Sequence, residues 1–106
     1  MAKYLLVYHG DGGMPEGEEA QAAAMAAWGT WFQNLGPALA DGGNPVGQAR
    51  TIASDGSVSD GGGANAATGY SLITADSLDA AVALAKGCPV LGGGSSVEVA
   101  ETFDVM

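Results

Sequence analysis

The 106-residue chain contains one cysteine, one histidine and only three basic residues, Lys3, Arg50 and Lys86. The lone Cys88 rules out an internal disulfide and fits a reducing compartment. With a single histidine beside it, and aspartates scattered along the chain, no transition-metal site is expected, nor any cofactor. Twelve acidic residues against three basic ones give a net charge of −9. Such a chain repels phosphate backbones and has no basic stripe, which argues against nucleic acid and against an anionic membrane surface as partners. No apolar run approaches the length of a membrane span. The opening MAKYLLVYHG has too short an apolar stretch for a secretory leader, so a cytoplasmic protein is expected.

Hydrophobic residues make up 47% of the chain and charged residues 14%, the balance of a globular protein and not of a disordered one. The length is that of one domain, 1–106, with enough chain for one core. So low a charged fraction implies that part of the surface is apolar and covered by a second subunit. Glycine is abundant at 18 residues, without a collagen period.

KYLLVYH, 3–9, has the β-rich composition and two apolar faces of a central strand, with His9 the first polar residue on its face. Pro15 and Glu16, Glu18 and Glu19 suit the start of a helix that runs to about Leu35. Met25, Trp28, Phe32, Leu35 and Leu39 follow helical spacing as its apolar stripe, with Trp31 beside it. Residues 46–60 predict a strand, an Asp55-Gly56 turn and a short return. ATGYSLITA, 67–75, is a strand. Asp76 or Ser77 caps a second helix whose apolar face is Leu78, Ala81, Val82 and Ala85. Gly87 and Pro89 stop that helix, and 95–103 is the last strand. The order βαββαβ predicts an α+β fold, a ferredoxin-like antiparallel sheet with both helices on one face. Nothing remains in the chain to cover the other face, so a homodimer packed sheet against sheet is expected.

On these elements the chain resembles the YCII-related family, including its DGPF-type members. The resemblance rests on KYLLVY in the first strand, VSDG before the third major strand, GYSLITADSLDAAVALAKGCP, and the terminal SVEV. It covers nearly the whole chain. It implies a ferredoxin-like subunit that pairs into a dimeric α+β barrel, in a family where most members have no assigned activity and some YciI-like ones are proposed to use a His-Asp dyad. The chain departs from the pattern twice. Its DGPF position reads Asp60-Gly61-Gly62-Gly63, and the first helix holds Met25 and Trp28 where the YciI-like histidine would lie.

His9, at a strand end before a glycine-rich loop, has the chemistry of a general base once a carboxylate orients it. Asp60 and Asp11 are the candidate partners, with Asp41 a third. The plainer alternative is a histidine making one structural hydrogen bond at the sheet rim. Tyr8, Tyr70 and Trp28 are candidate pocket walls, although aromatics at such spacings more often serve the core. Gly61 and Gly62 would leave room for a ligand above the sheet, yet neither glycine-rich loop has the lysine or glycine order of a phosphate cradle, and a turn is the simpler reading. Arg50, the one arginine, is suited to a substrate carboxylate or to a surface ion pair. Two functions follow. One is a cofactor-free isomerase or lyase acting on a small organic molecule, with His9 moving the proton. The other is a non-catalytic dimeric module that binds a metabolite or a regulatory protein partner.

Overall fold

A computed structural model of the chain describes residues 2–10, 17–62, 66–93 and 95–103; Asp11, Pro15, Glu16 and Gly63 lie outside them. The first strand, β1 (Ala2–His9), runs through the middle of a four-stranded sheet. Its alternation gives it two distinct faces. Tyr4, Leu6 and Tyr8 are buried on one, and Leu5 and Val7 are half-buried on the other. β5 (Ala67–Ala75) pairs antiparallel on one side of β1, and β6 (Ser96–Glu101) on the other. β2 (Leu39–Asp41) pairs antiparallel with β5, giving the order β2-β5-β1-β6. The chain is therefore α+β, with two helices and an antiparallel sheet, an arrangement compatible with a ferredoxin-like fold.

The second strand of this sheet is not where the 46–60 pattern suggests. Leu39, assigned by its spacing to the helix stripe, starts β2, because Gly36 caps the helix at φ 53° and Pro37 turns the chain out of it. β3 (Arg50–Ile52) and β4 (Val58–Asp60) do form a hairpin around Asp55-Gly56, but as a separate two-stranded ribbon. The Asp55 carboxylate accepts the Ser57 N–H at 2.8 Å, and Gly56 takes φ 91°. Every side chain of β3 and β4 is exposed.

The two helices seat differently. In α2 (Leu78–Ala85), Ser77 is the cap, accepting the Ala80 N–H. Ala81 and Ala85 are the buried residues, so its backbone comes close to β5 and β6, while Leu78 and Val82 turn outward. In α1 (Glu18–Leu35) the buried residues are Trp31 and Leu35, with Trp28 and Phe32 half-buried; Met25, expected on the stripe, is 66% exposed. Rings hold α1 off the sheet where alanines let α2 down onto it. Trp31 is tied across to α2 by its indole N–H, which donates to the Leu84 carbonyl at 3.2 Å. The core joins residues of both helices to Tyr4, Leu6, Tyr8, Ile73 and Ala75, which share one sheet face. The result is a plate, 44 × 43 × 18 Å.

Candidate functional site

His9 closes β1 opposite Ser96 of β6, so its diagonal neighbour on the same face is Glu98. The pair is made: His9 Nε2 lies 3.0 Å from Glu98 Oε1. An ionised carboxylate can only accept, so Nε2 carries the hydrogen. The His9 side chain is 11% exposed and that of Glu98 60%, so a buried imidazole meets a carboxylate that reaches water. Such a pair stabilises an imidazolium when the ring takes up a proton and holds the ring's orientation when it does not. The anchoring is local as well. Tyr8 faces Gly69 but His9 faces Ala67, so β5 bulges at Thr68, and the Thr68 hydroxyl donates to the Tyr8 carbonyl at 3.1 Å.

Among the described residues, the carboxylate beside His9 is Glu98, a residue the sequence reading did not single out. Asp60 stands on the separate ribbon, 3.8 Å from Arg50 Nε, with its side chain 95% exposed. Arg50 is accordingly engaged in an exposed ion pair across the ribbon. Asp41 caps its own loop by accepting the Gly43 N–H at 2.8 Å. Asp11 lies outside the described residues. Gly61, at φ 83°, donates its N–H to the Ala49 carbonyl, and its own carbonyl accepts the Thr51 hydroxyl at 2.7 Å, which closes the base of the ribbon as a turn. Gly62 is packed against Ala66, where an added Cβ would come within 3.0 Å.

The aromatic candidates part company across the sheet. Tyr70 pairs with Val7 and so shares the His9 face, where its hydroxyl accepts from Asn44 Nδ2 at 3.4 Å. Tyr8 faces the helices. Its ring meets Trp28 edge to face at a centroid distance of 5.1 Å, and Trp28 in turn lies 5.7 Å from Phe32. The Tyr8 hydroxyl donates to the buried Ser71 hydroxyl at 2.7 Å, and Ser71 donates on to the Gly42 carbonyl at 2.7 Å. Burial pushes the Tyr8 phenol up to about 12.

That relay pins the loop after β2 onto β5. Gly43, at φ 72°, lies so close to β5 that a Cβ there would collide with the Tyr70 carbonyl oxygen, and Val46 N–H donates to the Thr68 carbonyl at 3.0 Å. Between this loop and α1 is a cleft of about 310 Å³. It is lined by the Tyr8, Trp28 and Phe32 rings, by Gly42–Pro45, and by Thr68 and Gly69. Among the described residues, no charged side chain lines it.

Cys88, buried behind α2, has its thiol pushed up to about 11 by burial, which keeps it protonated and unsuited to nucleophilic work at neutral pH. Among the described residues, no three His, Cys, Asp or Glu side chains gather to hold a metal ion. None of the helices described is long and apolar enough to cross a membrane. Set beside known proteins, the chain matches no protein-family model and no curated protein.

Proposed function

We propose that this chain is a YCII-related, ferredoxin-like subunit that pairs into a dimeric α+β barrel in the cytoplasm and acts, without a cofactor, as an isomerase- or lyase-type enzyme on a small organic molecule. His9 moves the proton and Glu98 orients the ring and stabilises its charged form. The observation that carries this reading is the buried imidazole with a carboxylate at 3.0 Å on the sheet face that receives neither helix. A second subunit over that face would enclose the pair and exclude bulk water from it. The flatness of the chain supports such a partner. A compact chain of this length has a radius of gyration of about 13 Å, against 15.1 Å here, and an 18 Å plate is two layers where a covered sheet has three.

The ring signals of His9, the one histidine, test this by NMR in the presence of a panel of small carbonyl and hydroxy compounds. The expected outcome is a ligand that moves those signals, with turnover abolished in His9→Ala and reduced at least ten-fold in Glu98→Gln. A ring indifferent to every compound, in a chain that light scattering shows to be a monomer, would sink the reading. A second reading, a binding module without chemistry, is favoured by one observation: the aromatic cleft lies on the other side of the sheet from His9 and has no charged side chain among its described lining.

A further inference from the structure

The cleft between α1 and the loop after β2 has the properties of a ligand site in its own right, and they narrow the ligand's chemistry. Its volume, about 310 Å³, is at the lower end of small-molecule pockets, which start at about 300 Å³. A closed apolar cavity of about 150 Å³ takes benzene, so this space suits two fused rings. Gly42 and Gly43 add only backbone to the lining, with Gly42 lying against Phe32, so the open space is shaped by the Tyr8, Trp28 and Phe32 rings. The relay from Tyr8 through Ser71 to the Gly42 carbonyl, with the Tyr70 N–H donating to the Asn44 carbonyl and the Val46 N–H to the Thr68 carbonyl, holds that backbone in place. A lining of three aromatic rings favours a flat aromatic guest, which meets them edge to face or offset-stacked. No charge lines it among the described residues, and the chain carries −9 overall, so an anion finds no partner inside. The Thr68 hydroxyl in its lining gives its proton to the Tyr8 carbonyl, so toward a ligand it can only accept.

We propose that this cleft binds a planar, two-ring aromatic molecule that is not an anion and carries one hydrogen-bond donor. The site is on the helix side of the sheet and does not depend on His9 or on a second subunit.

The test uses the full chain and 2-naphthol, with 2-naphthoate as the charged congener and 2-methoxynaphthalene as the congener without a donor. Binding is followed by equilibrium dialysis and by amide and indole N–H shifts. The expected result is saturable binding of 2-naphthol that moves the Gly42, Gly43 and Gly69 amides and the Trp28 indole. 2-Naphthoate should bind at least ten-fold more weakly and the methyl ether several-fold more weakly. A Cβ at Gly42 would sit 3.7 Å from Phe32, ordinary contact, so Gly42→Ala should fold and weaken binding a few-fold, and Gly42→Leu should weaken it at least ten-fold. The proposal is overturned by any of three results: no saturation up to the solubility limit, equal affinity for 2-naphthoate, or shifts that bypass these residues and fall at His9 instead. The wild-type shift map decides this even if a glycine variant fails to fold.

Discussion

On the helix side of the sheet, Tyr4, Leu6, Ser71 and Ile73 are at most 1% exposed, and among the described residues no buried side-chain nitrogen or oxygen lacks a hydrogen-bond partner. On the opposite side the residues that alternate with them, Leu5, Val7, Tyr70, Leu72 and Thr74, are only half-buried. Both faces come from the same two strands, β1 and β5, and both are largely apolar. They differ in what the chain supplies against them. One receives two helices and the loop after β2. The other receives neither helix and carries the His9–Glu98 pair. The lesson is that completeness and chemistry are divided between the faces. The helix side makes a cleft with no charged side chain among its described lining, and the half-buried side holds the His9–Glu98 pair.

The comparison is broken most severely by matched deletions on β1. Leu6→Ala removes a fully buried side chain and should cost about 2–5 kcal/mol in urea denaturation. Leu5→Ala, one residue earlier on the half-buried face, should cost about half as much or less in the isolated chain. If a second subunit covers that face, the Leu5→Ala midpoint should become strongly dependent on protein concentration, while the Leu6→Ala deficit stays constant. Equal, concentration-independent costs would remove the distinction between the faces.

Gly43→Ala attacks the helix side at its edge. The φ of 72° and the collision with the Tyr70 carbonyl force the loop away from β5, at a cost of about 1–3 kcal/mol. Amide exchange should then accelerate at Val46 and Tyr70, whose N–H groups donate across that contact. Unchanged exchange would mean that the loop is not held as described.

Alkaline titration sharpens the comparison more gently. Cys88 and Tyr8 are both buried on the helix side, and burial raises them from 9.0 to about 11 and from 10.0 to about 12. A group whose folded value is raised keeps its full contribution below its unfolded value. Stability should therefore hold up to about pH 9 and fall progressively toward pH 12. Cys88→Ala should flatten the part of the decline between pH 9 and 11, and leave the later part to Tyr8 and to Tyr4, whose phenol burial also raises. A urea midpoint indifferent to pH across this range would contradict the burial of both groups.

The smallest effect comes from a position on neither face. Gly29 lies inside α1, exposed, with nothing within 4 Å of an added Cβ. Gly29→Ala should stabilise the chain by about 0.5–1 kcal/mol. It supplies a control in which helix propensity changes and neither the cleft nor the His9–Glu98 pair is touched.

Much of the architecture is legible in local patterns. The alternation in KYLLVYH, a cap at Asp76 or Ser77 and the Asp55-Gly56 hairpin each follow from backbone sterics and hydrogen bonding within a few residues, so reading the residues in order suffices. The same locality explains the failures. Leu39 has helical spacing from Leu35, but a glycine and a proline between them break the helix before the spacing matters. Trp31 and Met25 exchange their expected burial because the direction of a helix's buried stripe is set by what it packs against, here α2 and the sheet.

The candidate site shows the boundary most clearly. His9 stands out in the sequence because it is the one histidine and ends a strand, both visible at a glance. Its carboxylate does not, since Glu98 is 89 residues away and becomes its neighbour only because β6 pairs with the edge of β1 that β5 leaves open. The separation of Tyr8 from Tyr70 is likewise implicit in strand alternation, yet it acquires meaning only when the helices choose one face to cover. Identity and spacing along the chain determine which groups are available and which elements carry them. Strand order and helix seating determine which of those groups meet, because pairing brings together residues whose separation in sequence puts no constraint on their separation in space.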